Sequence, residues 1–305
     1  MLTYFQAVAI GALQGVTELF PISSLGHSVL VPAWLGGSWG ALVTQGDSDS
    51  GTPYLAFVVA LHVATAVALL VYYRDDWRAI AAGLVDTVRT RSVETPTQRL
   101  TWLLVLAAAP VGVLGLLFEH PLRVLFATPR AAGVFLTLNG VVLLAGEALR
   151  RRGGAESSGA GRTHAESDTI TARRTATRLD TLTAADAVGI GVAQTFALLA
   201  GISRSGVSMV GGLLRGLDHE DAAKFSFLLA TPVILAAGLL KLPELAGPHG
   251  HGILGQCLAG AIVAGVASYL SVRFLERYFK TRTLLPFAVY SVVFGLASVL
   301  RFTVG

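Results

Sequence analysis

The sequence predicts an all-α integral membrane protein, with six transmembrane helices and two re-entrant helical hairpins arranged as an inverted-topology repeat. Three observations predict it. Hydrophobic residues make up 53% of the 305-residue chain and charged residues only 14%, against about 25% charged in ordinary soluble domains. The mean hydropathy is +0.64. Several apolar runs reach the roughly 20 residues that a helix needs to cross about 30 Å of hydrocarbon. Two further apolar segments are each interrupted near the middle by residues that end helices.

In chain order, a first half (1–149) opens with an interrupted segment at about 5–36 and continues with three full-length runs, Tyr54 to Tyr73, Leu100 to Phe118 and Ala131 to Leu149. A polar stretch (150–183), rich in Arg, Gly, Ser and Thr, has too little apolar surface to fold alone and reads as a linker. The second half (184–305) repeats the pattern: an interrupted segment at about 186–216, then Phe225 to Leu240, Gly252 to Leu270 and Leu284 to Leu300.

Basic residues orient these elements. There are five between Arg74 and Arg99, seven in the linker and four between Arg273 and Arg282. The positive-inside rule puts these segments in the cytoplasm, with the linker's Arg162 inside and the loops containing Asp47 and His249 outside. Three spans per half then force the two halves into opposite topology. In the first basic loop Trp77, Ile80, Ala81, Leu84, Val85 and Val88 keep helical spacing, which suits a helix lying on the membrane surface or one packed on the protein. The first basic residue is Arg74, so no secretory signal peptide is expected. A single cysteine, Cys257, excludes an intramolecular disulfide and reads as a small packing residue. The net charge of +4 resides mostly in loops, which argues against nucleic-acid binding.

The interrupted segments read IGALQGVTELFPISSLGHSVLVPAWLG (10–36) and IGVAQTFALLAGISRSGVSMVGGLLRG (190–216). At an offset of 180 they share nine identities in 27 positions, among them Gln14/Gln194, Ser23/Ser203, Gly26/Gly206 and Ser28/Ser208. Pro21 with Ile22-Ser23-Ser24, and Gly201-Ile202-Ser203, would each end one helix and cap the next. Non-helical backbone at membrane depth requires protein or a wet cavity around it, and paired broken segments in inverted halves point to a central binding site.

The first tip carries Gln14, Thr17, Glu18, Ser23, Ser24 and His27; the second carries Gln194, Ser203, Arg204, Ser205 and Ser208. Glu18 is the only acidic residue among the first 46, and Arg204 has about ten apolar-rich residues on either side. An intramembrane charge costs at least about 2.5–3.5 kcal/mol, so it is normally paired and functional. A structural ion pair between Glu18 and Arg204 is one reading. The other is a ligand site. Gln14 and Glu18 share a helix face and offer oxygens to a hard cation such as Mg2+ or Ca2+. New helix N-termini at Ser24 and Ser205, together with the Arg204 fork, suit a phosphate. His27 and the serines add a base and a nucleophile. Among other polar residues, Asn139 reads as interhelical glue, mid-span His62 as core packing ahead of an approach to the cavity, and Glu147 as a partner of Arg150 to Arg152.

At these residues the chain resembles the undecaprenyl-diphosphate phosphatase family, also called the bacitracin-resistance family. The family's first motif is matched by Gln14, Glu18, Pro21, Ser23, Ser24, Gly26 and His27, and its second by Gly201, Ser203, Arg204, Ser205 and Gly206, followed by a similar FSFLLATP at 225–232. Ala200 stands where the family usually has Pro, Ser208 where it has Thr, and Gln14 where many members have Glu, which leaves one carboxylate for a metal.

The resemblance implies a multi-pass plasma-membrane enzyme that removes the terminal phosphate of a polyprenyl diphosphate, recycling a lipid carrier for envelope glycan assembly. It implies an active site toward the outer face and a weakly held Mg2+ or Ca2+ near Gln14 and Glu18. Glu18, Ser24, His27 and Arg204 are then the catalytic candidates, with Ser24 or His27 attacking phosphorus. Ser23, Gly201, Ser203, Ser205 and Ser208 are the substrate-binding candidates. The expected partners are the lipid diphosphate and the bilayer, with a homodimer left open. The alternative is a carrier returning the lipid monophosphate across the membrane, which shares the phosphate site but gives no reason for Ser24, His27 and Glu18 together. A structural or assembly protein would need no intramembrane Glu and Arg.

Overall fold

A computed structural model describes residues 2–44, 53–126, 128–156, 179–246 and 252–304. Most of the linker, including Arg162, and the loop residues Asp47 and His249 lie outside the described residues. All regular structure among the described residues is helical: α1 (Tyr4–Thr17), α2 (Ser24–Leu35), α3 (Gly37–Thr44), α4 (Pro53–Tyr72), α5 (Arg74–Thr90), α6 (Pro96–Phe126), α7 (Pro129–Glu156), α8 (Ala184–Thr195), α9 (Arg204–Leu214), α10 (His219–Ala246), α11 (Leu254–Phe279) and α12 (Leu285–Val304). Five of these, α6, α7, α10, α11 and α12, contain stretches long and apolar enough to cross a membrane; a sixth is obtained when Phe57–Tyr72 is taken with Arg74–Thr90, from which it bends by 87°. The protein is therefore a multi-pass, all-α membrane protein.

Local sequence explains where the interrupted segments start and stop. Thr3 and Gln6 form a capping box at the start of α1, and Thr183 and Asp186 form another at the start of α8. α1 ends at Thr17 because Pro21, four residues on, has no N–H to return to the Thr17 carbonyl and its ring crowds that oxygen. Ser23 caps α2 by accepting from Gly26 N–H, and Ser203 caps α9 by accepting from Gly206 N–H. All these capping pairs are separated by 180 positions, so the repeat seen in sequence is repeated in backbone hydrogen bonding. Within α2, Pro32 leaves the Ser28 carbonyl without its helical donor, and the Tyr54 hydroxyl donates to it at 2.9 Å.

Packing follows the same symmetry. α1 lies on α11 and α8 on α6; α4 packs on α10, and α7 on α12. Gly11 and Gly191, equivalent positions, sit against the backbone carbonyls of Gly260 and Ala107, so closely that a Cβ at either would collide with the oxygen. α7 and α12 approach through Gly133, Gly140, Gly295 and Ser298, as helices do where small residues line a membrane interface. Cys257 is buried in an apolar cluster with Ala7, Ile10, Phe57 and Leu61.

α5 packs on the protein, one of the two readings of its sequence. Ile80, Gly83 and Thr87 are buried, with α5 packed on α6, while Leu84, Val85 and Val88 remain exposed. Glu147 departs from expectation. Arg150, Arg151 and Arg152 are exposed, whereas Glu147 faces inward, 2.6 Å from His219 Nε2, and accepts from Leu284 N–H at 2.7 Å. The helical phase of α7 turns Glu147 into the bundle, where an amide and an imidazole replace the expected arginines.

Candidate active site

The breaks after α1 and before α9 meet inside the bundle, and Glu18, the C-cap residue just after α1, is the hub. Its Oε1 accepts from Arg204 Nη2 at 2.5 Å. Its Oε2 accepts from Ser24 Oγ and from Gln14 Nε2, the latter at 3.0 Å. Ser24 and Arg204 are the first residues of α2 and α9, so each side chain stands at a helix N-terminus where backbone N–H groups face outward. Arg204 Nη1 also donates to the Ala230 carbonyl at 3.0 Å, which fixes the guanidinium plane. Side-chain exposure is 6% for Glu18 and 13% for Arg204, and Ser24 is half-buried, so the pair is shielded while the hydroxyl and the guanidinium edge stay reachable.

Around this hub the two tips are tied together. Ser23 Oγ accepts from Gly201 N–H at 3.2 Å, and Ser205 Oγ donates to the Phe20 carbonyl at 3.2 Å while lying 3.0 Å from Ser203 Oγ. Ser23 holds φ = 68°, a left-handed conformation unusual for a side chain and worth roughly 1–3 kcal/mol of strain of the kind that collects at functional sites. Gly201, at φ = 117°, lies against the Ala132 carbonyl and Leu136 N–H with no room for a Cβ. Asn139, the residue read as interhelical glue, bonds the Pro21 carbonyl, Ser203 N–H and Ser291 Oγ. Ser208 lies one turn farther along α9, where its Oγ donates to Gln194 Oε1 at 3.4 Å.

Two histidines stand differently about this hub. His27 is not bonded to Ser24, Glu18 or Arg204. Its Nδ1 donates to the Ser23 carbonyl at 2.7 Å, its Nε2 lies 2.7 Å from the Tyr290 hydroxyl, and its ring stacks with Tyr290 and Phe294. His62, read as core packing, instead reaches the hub. Its Nε2 is 3.3 Å from Glu18 Oε2, and its Nδ1 donates to the Val58 carbonyl at 2.8 Å. The signal that would have found it is an ionisable side chain in the middle of an otherwise apolar span.

Among the described residues no three His, Cys, Asp or Glu side chains gather into a metal cage. The oxygen donors at hand are the Glu18 carboxylate and the Gln14 amide, which as placed points its NH2 toward Glu18. Turning that amide would present its oxygen. One carboxylate and one amide oxygen fit a Mg2+-type ion only when substrate phosphates complete its shell.

The chain matches the family model of bacitracin resistance protein BacA over residues 7–297. It is similar to undecaprenyl-diphosphatase 2 of Frankia alni, with 56% identity over 99% of each chain. It is 54% identical to the undecaprenyl-diphosphatase of Mycolicibacterium paratuberculosis, over 97% of this chain and 96% of the relative. Identity to the undecaprenyl-diphosphatase of Acidiphilium cryptum is 43%, over 98% of both. By its repeated interrupted segment, the residues that meet at its tips and these full-length similarities, the chain belongs to the BacA family.

Proposed function

We propose that Ser24 is the nucleophile of this protein, with Glu18 as its proton acceptor and Arg204 as its grip on the diphosphate. The chain is an undecaprenyl-diphosphatase, a hydrolase that recycles the lipid carrier of envelope glycan synthesis. The observation that carries the assignment is that Ser24 Oγ–H donates directly to the Glu18 carboxylate, whose other oxygen is held by Arg204.

In the first step Ser24 Oγ attacks the terminal phosphorus, its proton passes to Glu18 Oε2, and the bond to the bridging oxygen breaks with its electron pair, releasing the lipid monophosphate. Arg204, with donors beyond the two used on Glu18 and Ala230, holds the oxygens on which charge accumulates. Water then attacks the phosphoserine, its oxygen bonding to phosphorus and one of its protons passing to solvent, while the P–Oγ bond breaks, Glu18 returns its proton to Ser24 Oγ and phosphate departs. Positioning and charge stabilisation supply most of the acceleration in such transfers. His62 supports Glu18 from α4, and His27 steadies the start of α2 through the Ser23 carbonyl. The buried hydroxyls of Ser23, Ser203 and Ser205 and the backbone at Gly201 shape the phosphate pocket, with Ser208 one turn behind it.

Glu18 and an inward-turned Gln14 would hold a divalent cation, Mg2+ or Ca2+, supplying further neutralisation of the diphosphate. With one protein carboxylate its hold would be weak. The distribution of basic residues supports a plasma-membrane orientation with the site opening toward the outer face.

The test is phosphate release from a short-chain polyprenyl diphosphate by purified protein in detergent, where a carrier has no two sides to connect. Wild type should release phosphate and yield a phosphopeptide containing Ser24 on acid quench; Ser24→Ala should bind lipid and release none. Turnover by Ser24→Ala at the wild-type rate would remove the serine from the mechanism.

A further inference from the structure

We propose that Asn139 is a positioning residue for the phosphatase reaction, its one amide plane setting the tip that bears Glu18 and Ser24 against the tip that bears Arg204. The inference rests on the hydrolase reading above. Asn139 is fully buried midway along α7, a helix that packs on both α2 and α9 and belongs to neither interrupted segment. Its Nδ2 donates to the Pro21 carbonyl at 3.0 Å and its Oδ1 accepts from Ser203 N–H at 2.9 Å. Pro21 lies three residues from both Glu18 and Ser24, and Ser203 directly precedes Arg204.

These two backbone groups belong to the breaks, where no helical ladder serves them, and a buried backbone group requires a partner. A planar amide presents donor and acceptor at a fixed separation and angle. It therefore sets the orientation of one tip to the other as well as their distance. Besides the Glu18–Arg204 bond of the site itself, the direct links Ser23 Oγ to Gly201 and Ser205 Oγ to Phe20 are single hydroxyl contacts whose rotors can turn. Asn139 is the described side chain that bonds the backbone of both tips from outside them. A shift of about 1 Å between reacting groups can cost about 100-fold in rate.

The experiment compares Asn139→Leu, which removes both bonds, Asn139→Asp, which keeps the acceptor for Ser203 and loses the donor to Pro21, and Ser291→Ala, which removes only the 3.4 Å contact to Nδ2. In the folded fraction, kcat should fall about 100-fold for Leu and about tenfold for Asp, with KM within about threefold of wild type because Arg204 still binds diphosphate. Ser291→Ala should stay within about threefold in both.

A second readout is the distance distribution between spin labels at Leu35→Cys and Leu214→Cys in a Cys257→Ser background. It should broaden in Asn139→Leu and not in Ser291→Ala. Folded Asn139→Leu with near-wild-type kcat, a raised KM with kcat intact, an unchanged distribution, or failure of both Asn139 variants to fold would each overturn the proposal. Wild type that releases no phosphate would defeat the hydrolase reading, while the distance distribution still decides whether Asn139 sets the tips.

Discussion

The two interrupted segments, Tyr4–Leu35 and Ala184–Leu214, have the same skeleton and different chemistry. Both begin with a threonine capping box, restart at a serine cap and press a glycine onto a neighbouring carbonyl. At equivalent positions, however, Glu18 faces Leu198, Ser24 faces Arg204 and His27 faces Val207. The glutamines show the divergence most directly. Gln14 donates to Glu18, whereas Gln194, with a leucine four residues on, accepts from Ser208 and leaves its buried Nε2 without a hydrogen-bond partner. Backbone requirements are common to both halves, while the carboxylate and hydroxyl lie on one tip and the cation on the other, so neither half contains a site by itself.

The largest expected effect tests that division. Arg204→Ala should lower phosphate release by about 1,000-fold or more, as removal of a charge-stabilising arginine does in other phosphoryl transfers. Arg204→Lys should remain strongly impaired because the fork is lost. An active Arg204→Ala would break the picture of complementary tips. Glu18→Gln should lower kcat by about 100-fold or more, the range of a lost general base, and exhaustive EDTA should stop turnover reversibly if Glu18 also holds a cation with the substrate. Full activity after chelation would leave Glu18 with proton transfer alone.

Smaller effects examine the shared skeleton. Gly11→Ala and Gly191→Ala should each cost about 1–3 kcal/mol by overpacking, read as similar falls in Tm in detergent. A large fall at one and none at the other would break the equivalence of the halves. The smallest contrast concerns the glutamines: Gln14→Leu should lower kcat about tenfold by removing a bond to a charged group, while Gln194→Leu should leave activity unchanged and alter stability by about 1 kcal/mol, the loss of its bond from Ser208. Equal losses at both would mean that Gln194 serves the site.

The spans, the breaks and the residues at the tips were legible because a membrane makes charge and helix-breaking residues rare, so Glu18, Pro21, Gly201 and Arg204 stand out against an apolar background. The serine caps at the two breaks were legible for the same local reason. What escaped depends on contacts between distant segments. Which way His27 turns is decided by Tyr290, 263 residues away, and the partner of Glu147 is His219, 72 residues on. His62 was visible as an intramembrane histidine, yet its aim at Glu18 depends on how α4 is rotated, which an apolar run without a strong polar face does not encode.

The Glu18–Arg204 pair spans 186 residues, and this has a consequence for biosynthesis. At about 5–20 residues per second, a ribosome needs roughly 10–40 s after completing Glu18 to deliver its guanidinium partner. During that interval the inserted first half holds a carboxylate that lipid does not tolerate alone. His62 lies in that same half, 44 positions after Glu18, and its Nε2 stands 3.3 Å from Glu18 Oε2, so the first half carries within itself a partner for the carboxylate.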